Sequence, residues 1–144
     1  MKLKNRARLV PALGTAAAVA LGVSVAVQPA AYAAAAGLSV SPATGLAHGD
    51  TVTAKVTGAV PGETYYIAQC ADVPAGHACN SSTATSFTVN GNGEASIPLV
   101  VSKTFTGISP EGTNLGSVDC GTAQCYIGAG NAGLDLGNVA ISFS

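Results

Sequence analysis

The sequence has no tryptophan and little charge. Aromatic side chains make up 5% and charged side chains 9% of its 144 residues. The missing tryptophan argues against a true antibody-type domain, in which a buried tryptophan packs against a disulfide between the two sheets. Beyond residue 33, Lys55 and Lys103 are the only Lys or Arg residues against seven acids, a net charge of 2 − 7 = −5. The chain beyond residue 33 cannot neutralise a run of phosphates, so its surface is expected to bind nucleic acid poorly.

Catalytic motifs are also lacking. The sequence has two histidines, His48 and His77, and no G-x-S-x-G elbow, and its acids form no recognisable pair. We interpret both histidines as solvated loop residues. The sequence therefore predicts a binding protein and not an enzyme.

One glycine-rich segment invites a different interpretation. Gly128, Gly130 and Gly133 satisfy the pattern G-x-G-x-x-G. A dinucleotide site needs a strand before this pattern and a helix after it, and no segment after Ala36 has a helical period. The segment is predicted to be a flexible loop between strands, or a surface where missing side chains let a bulky ligand lie on the backbone.

The first 33 residues have the pattern of a secretory signal peptide. Residues 1–8 carry four cations, residues 9–27 are uncharged and rich in alanine, and residues 31–33 form an A-x-A cleavage motif. We predict cleavage after Ala33, with the bond after Ala34 as the alternative. A retained membrane anchor is the competing interpretation, because the run is about long enough to span a bilayer. The small residues and the proline of that run favour cleavage and a secreted, extracellular domain with no membrane attachment.

That domain, from residue 34 to residue 144, contains all the cysteines. An even number of cysteines in an oxidising compartment predicts two disulfides, and four cysteines allow three pairings. A zinc site is the alternative. The spacings C-x8-C and C-x4-C, with no histidine pair nearby, fit zinc poorly, so no metal is predicted. The cysteines are Cys70, Cys79, Cys120 and Cys125.

Alternation with a period of two dominates the same domain. Eight segments show the alternation or β-branched content of strands, and turn sequences separate them. Pro98 lies inside one segment and predicts an edge strand or a bulge. Short strands at this spacing predict an all-β fold, a sandwich in one domain, with the three phenylalanines in its core. The segments are 38–41, 51–57, 64–70, 85–89, 95–101, 116–120, 125–128 and 139–143, and the phenylalanines are Phe87, Phe105 and Phe143.

Several stretches are specific enough to indicate a family. They are residues 39–46, 62–71 (GETYYIAQCA), 78–80, 83–88, 116–120, 128–131 and 133–143. In these stretches the chain resembles the neocarzinostatin family, apoproteins that carry enediyne antibiotics, and especially its lidamycin and actinoxanthin branch. The resemblance covers nearly all of residues 38–144 and includes the four cysteines.

The resemblance implies a fold and a function. It implies an immunoglobulin-like seven-stranded β-sandwich with a small lobe of two hairpin ribbons, a ligand cleft between them, and the disulfides Cys70–Cys79 and Cys120–Cys125. It also implies a monomer that binds, stabilises and delivers a labile enediyne chromophore non-covalently. DNA is then the target of the chromophore and no tight partner of the protein. A secreted protein of the same fold with another apolar ligand, or none, is the alternative, and a secreted hydrolase is a more distant one.

The resemblance further assigns the cleft residues. The Tyr66 ring is expected to stack on the chromophore core, and Gln69 with the Cys70–Cys79 bridge to form part of the floor. Pro110 is expected to line the cleft. The opposite wall is expected to consist of Tyr126, Gly128, Gly130, Asn131 and Leu134.

The sequence departs from the family at this predicted cleft. Asp72, Ala84 and Pro110 stand where neocarzinostatin has bulky aromatic side chains. Tyr126 replaces a smaller polar residue and is expected to narrow the cleft. These departures predict a chromophore of a type other than that of neocarzinostatin.

Overall fold

The computed structural model describes residues 35–144, and these residues form ten β-strands and no helix. The predicted signal peptide lies outside the described residues. Within residues 35–144, no helix is long and apolar enough to cross a membrane. The strands are β1 Gly37–Ser41, β2 Thr51–Thr57, β3 Thr64–Val73, β4 Gly76–Asn80, β5 Thr85–Thr88, β6 Ala95–Val100, β7 Thr104–Ile108, β8 Asn114–Asp119, β9 Cys125–Gly130 and β10 Asp135–Ile141.

Two antiparallel sheets form a sandwich. The first has the order β1-β2-β6. In the second, β3 pairs along one edge with β9, which pairs in turn with β10. The first half of β3 pairs along its other edge with β5, and the second half pairs there with β4. The seven strands β1, β2, β6, β5, β3, β9 and β10 match the predicted sandwich.

Two ribbons extend the second sheet and correspond to the predicted small lobe. One ribbon is the end of β3 with β4, and the other is β7 with β8. Cys79 and Asn80 of β4 pair with β7 and connect the two ribbons. Because β4 continues into the lobe while β5 returns to the sandwich, the sheet splits beside the middle of β3.

The core lies between the two sheets and follows the alternation of the sequence. Successive side chains of a strand point to opposite faces, so every second residue of β2, β3 and β9 is buried. Each large apolar side chain buried in this way stabilises the fold by roughly 1.5–3 kcal/mol. Phe105 is buried, while Phe87 and Phe143 are half-buried against the core. Other large buried apolar side chains include Leu46, Val52, Val56, Tyr65, Ile67, Ile127, Leu136 and Ile141.

Each of the eight predicted strand segments overlaps a strand of the structure, but β4 and β7 were not predicted. Pro98 lies on β6, an edge strand of the three-stranded sheet, as expected. The glycine-rich segment contains the end of β9, which runs to Gly130, and the turn that leads to β10 at Asp135, so the loop between strands is shorter than predicted. A turn of four residues, 131–134, joins these strands.

Both disulfides join nearest neighbours. Cys70 is bonded to Cys79, and Cys120 to Cys125. Cys70 and Cys79 face each other directly across β3 and β4. The pairing implied by the resemblance is therefore confirmed, and the first bridge lies where the ribbon leaves the sandwich.

Candidate ligand-binding cleft

An open cleft of about 680 Å³ lies on the face of the second sheet that points away from the core. Tyr65 and Ile67 of β3 point into the core, so the residues between and beyond them, Tyr66 and Ala68, point to the opposite face. Both residues line the cleft. The Tyr66 side chain is 66% exposed, an unusual exposure for a large aromatic ring on a central strand.

The register of the sheet fixes the shape of this cleft. Tyr66 lies opposite Gly130, and Ala68 lies opposite Gly128. Two positions further along, Cys70 lies opposite Tyr126. On β3 and β9, side chains larger than a methyl group therefore stand at the ends of the cleft and none in its middle. The exposed side chain of Asn138, which lies opposite Gly128 on β10, borders the middle from the far side. Cys70 lies four positions after Tyr66, so the trough between them is roughly 13 Å long at about 3.3 Å per residue.

Gly128 lets the side chain of Asn138 approach the middle of the trough closely. A Cβ atom at this position would lie 2.7 Å from Oδ1 of Asn138 and 3.5 Å from Cε2 of Tyr126. A Cβ at Gly130 would instead meet the backbone oxygen of Leu134 at 3.0 Å. A side chain at Gly128 would thus displace Asn138 on the cleft side, whereas the absence of one at Gly130 allows the following turn to pack closely.

A polar cluster stands at the disulfide end of the trough. His77 of β4 pairs across the ribbon with Asp72 of β3, and its Nδ1 lies 3.0 Å from Oδ1 of that carboxylate. The same Nδ1 lies 2.8 Å from the hydroxyl of Tyr126 on β9. The hydroxyl is also 3.3 Å from Oδ1 of Asp72. These hydrogen bonds therefore connect strands β3, β4 and β9 at the edge of the cleft.

The electrostatics of this cluster define its protonation. The hydrogen bond with His77 lowers the pKa of Asp72, so the carboxylate stays ionised. Burial, followed by the charge of Asp72, raises the pKa of Tyr126 to about 12, so the phenol keeps its proton. A carboxylate can only accept hydrogen bonds, hence the neutral His77 ring carries its proton on Nδ1. Its Nε2 then presents a lone pair, and this atom lies 3.3 Å from Sγ of Cys79.

The same residues raise the question of a metal. Ligand atoms of Cys70, His77 and Cys79 lie within 4.8 Å of one another. A thiolate is the form of cysteine that binds metal. Since the two sulfurs are bonded to each other, the cluster offers a single free ligand, the His77 ring. It does not fit a metal ion while the bridge is intact.

The cleft brings together six of the ten residues assigned by the resemblance. They come from β3, β4 and β9, and all face the same side of the sheet. The residues are Tyr66, Cys70, Cys79, Tyr126, Gly128 and Gly130.

Gln69 lies elsewhere, on the core side of β3, and is fully buried. Its Nε2 donates to the carbonyl of Ser102 at 2.6 Å, and its Oε1 accepts from the Ser102 amide at 2.9 Å. A third bond comes from Nδ2 of Asn80 at 3.4 Å. Gln69 is one position out of phase with Tyr66 and Ala68, so it links β3 to the segment after β6 and does not form the floor of the cleft.

Three further expected residues lie outside the lining. Pro110 is exposed in the turn between β7 and β8. Asn131 organises the turn after β9, where its Oδ1 accepts from the Leu134 amide at 2.9 Å and its Nδ2 donates to the carbonyl of Thr64 at 3.1 Å. The side chain of Leu134 packs against the core.

His77 is the main residue that the sequence analysis misinterpreted. It lies on strand β4 and lines the cleft, so its placement in a loop is wrong, whereas its side chain is 44% exposed, as expected of a solvated residue. The available signal was its position two residues before Cys79, which places both on one face of a strand. His48 does lie in an exposed turn, where Nδ1 accepts from the Lys103 amide at 3.2 Å.

Comparison with known proteins gives a consistent family. The model of the Neocarzinostatin family matches residues 38–143. The chain is 53% identical to the antitumor antibiotic C-1027 apoprotein and 52% identical to actinoxanthin, both of Streptomyces globisporus, over 99% of each chain. The solved structure of macromomycin matches with a TM-score of 0.71 and 37% identity over 76% of this chain and all of that one. With the ten-stranded fold and both bridges in place, these similarities make the chain a member of the neocarzinostatin family.

Proposed function

We propose that this protein is a secreted apoprotein whose cleft holds a labile enediyne chromophore non-covalently, shelters it and delivers it to DNA. The observation that carries the proposal is the trough between Tyr66 and the Cys70–Cys79 bridge. A broad aromatic ring, two-thirds exposed, stands beside backbone that Ala68 and Gly128 leave nearly bare. This arrangement suits a flat, apolar ligand lying on the sheet.

The physical properties of the cleft support a small-molecule ligand. Its volume of about 680 Å³ lies within the range of small-molecule sites, roughly 300–1,000 Å³. Tyr66 can add an aromatic contact of about 0.5–1.5 kcal/mol to the area that a flat ligand buries. The charged or titratable side chains that line it are few, and Asp135 and His77 stand near its opposite ends. The middle of the cleft therefore offers shape and apolar contact without a built-in catalytic group.

The remaining elements of the proposal concern the whole protein. The signal peptide directs export and is removed after Ala33 or Ala34, and the mature domain acts as a monomer without a membrane anchor. The protein itself performs no catalysis on DNA. The bound chromophore causes the strand damage, since the acidic domain has little positive charge to hold a phosphate backbone.

The test is to recover the ligand from the native protein. Secreted material is extracted with organic solvent, and any released small molecule is identified by mass spectrometry and returned to ligand-free protein. We expect an enediyne that rebinds the wild type, and weaker binding to Gly128→Ala, whose added methyl pushes the Asn138 side chain aside at the middle of the trough. Gly91→Ala, in an open turn with no atom within 4 Å of the new Cβ, is the matched control.

Two results would contradict the proposal. An extract that contains no enediyne would contradict the proposed ligand. An enediyne that binds Gly128→Ala and the wild type equally would contradict the proposed cleft. Recovery of a different apolar molecule that binds in the trough would support the alternative, a carrier of the same fold for another ligand.

A further inference from the structure

The Cys70–Cys79 bridge differs from the second disulfide in what surrounds it. Cys79 is partly exposed and both sulfurs belong to residues that line the cleft. Cys120 and Cys125 are 8% and 0% exposed and lie in the core. An external thiol can therefore approach the first bridge from the open cleft, whereas the second bridge is covered.

A base stands beside the exposed sulfur. Nε2 of His77 lies 3.3 Å from Sγ of Cys79, and the contact of Nδ1 with Asp72 turns the lone pair of Nε2 towards that sulfur. Within residues 35–144, the ring contacts three titratable or sulfur-bearing groups: Asp72 of β3, Tyr126 of β9 and Cys79 of its own strand. A base held in place by a carboxylate is the arrangement that activates a nucleophile.

We infer that the Cys70–Cys79 bridge is a thiol-exchange site, at which His77 assists the attack of a small external thiol on Cys79. This inference does not depend on the proposed function, because it needs only the open bridge and the histidine.

The exchange balances without any further oxidant or reductant. Nε2 of His77 takes the proton of the incoming thiol, and the resulting thiolate attacks Sγ of Cys79. The new sulfur–sulfur bond forms to Cys79 while the bond to Cys70 breaks. Sγ of Cys70, within 4.8 Å of a His77 ring nitrogen, leaves as a thiolate and takes the proton back. The products are a mixed disulfide on Cys79 and a thiol on Cys70.

Exchange of this kind has a recognisable dependence on pH. A free thiol with a pKa near 8.5 is mostly protonated at neutral pH, so a base that removes its proton accelerates the attack there. Above about pH 9 most of the thiol is already thiolate, and the histidine has no proton left to remove. The contribution of His77 should therefore be large at neutral pH and vanish in alkali.

The test uses reduced glutathione and the folded, ligand-free protein. Samples are quenched with acid, alkylated and mapped by mass spectrometry. We expect glutathione on Cys79 and an alkylated Cys70 at least about tenfold earlier than any opening of Cys120–Cys125. The variant His77→Gln should react about tenfold more slowly at pH 7 and as fast as the wild type above about pH 9. The effect at pH 7 is below the roughly 10²–10⁴-fold of full acid–base assistance, because a few per cent of the thiol is already thiolate there.

Two variants separate assistance from a general change of structure. Asp72→Asn, which removes the acceptor that orients the ring, should lose the same advantage at neutral pH and keep the alkaline rate. His48→Gln, a histidine in an exposed turn far along the chain, should react as the wild type does at both values. Equal opening of the two bridges, glutathione attached to Cys70, or a His77→Gln profile parallel to that of the wild type would each overturn the inference.

Discussion

Replacing Gln69 by methionine tests whether this side chain belongs to the core or to the cleft. Gln69 is fully buried on the face of β3 that points away from the ligand trough. It exchanges two hydrogen bonds with the backbone of Ser102 and receives one from Asn80. Methionine has a similar length and volume and cannot form these bonds. The variant therefore removes the polar link and leaves the packing nearly unchanged.

The expected loss of stability is about 3 kcal/mol. Each hydrogen bond contributes a net amount of about 0.5–1.5 kcal/mol, and the donors and acceptors left without a partner add about 1–3 kcal/mol each. The Asn80 bond, at 3.4 Å, is long and counts for little, so the two Ser102 bonds dominate. At about 4 °C per kcal/mol for a domain of this size, the melting temperature should fall by roughly 12 °C.

Urea unfolding of the oxidised protein, with its midpoint and slope, measures this change. The midpoint should fall while the slope stays constant, because the surface exposed on unfolding is the same. Gln124→Met is the matched control: its Nε2 also donates to backbone carbonyls, of Cys125 and Ile141, but the side chain is exposed and water can replace it. The control should lose less than about 0.5 kcal/mol. A Gln69→Met protein as stable as wild type but weakened in ligand binding would refute the reasoning.

Three further variants or titrations test other parts of the structure. Tyr66→Ala should weaken binding of the extracted ligand by about 2–3 kcal/mol in a fluorescence titration and leave the fold intact, since the ring is 66% exposed; an unfolded variant would contradict this. The Tyr126 phenol should lose its proton near pH 12, as measured by ultraviolet difference absorption. Because its pKa rises from 10.0 on folding, the free energy of unfolding should fall as pH rises from about 10 to about 12. Ionisation at the ordinary value would contradict the contact of Tyr126 with Asp72. Gly93→Ala should lower the free energy of unfolding, measured in urea, by more than about 1–2 kcal/mol. Its φ of +73° disfavours a side chain, and the new Cβ would overlap the carbonyl oxygen of Ala59. Gly91→Ala should leave the stability unchanged, and equal stability of the two variants would refute this prediction.

The strands of the sandwich were predictable because one of their faces is buried against a common core. Alternation in the sequence records that burial directly, as in β2, where every second residue is buried. The turns were predictable for a local reason. In the turn before β2, Oδ2 of Asp50 accepts from the Ala47 amide at 2.8 Å, a bond that the turn sequence itself supplies. Such features need no knowledge of the remainder of the chain.

The ribbons and the assembled cleft were less accessible to sequence reasoning. Strand β4 has only five residues, and its pairing with β7 involves residues that are distant in the chain. Whether His77 is solvated or part of a wall depends on that pairing, since its partners Asp72 and Tyr126 come from two other strands.

Gln69 shows the complementary difficulty. A polar side chain beside Tyr66 and the bridge suggests a ligand contact, yet the alternation of β3 directs it to the core. The residues at positions 66, 68 and 70 face the cleft, while those at 65, 67 and 69 face the sandwich. The resemblance assigned Gln69 to the cleft because it is close in sequence to Tyr66 and Cys70. In a strand, however, residues adjacent in sequence point to opposite faces of the sheet. The alternation of β3, with Tyr65 and Ile67 buried, was thus the information that would have placed the Gln69 side chain in the core and not in the cleft.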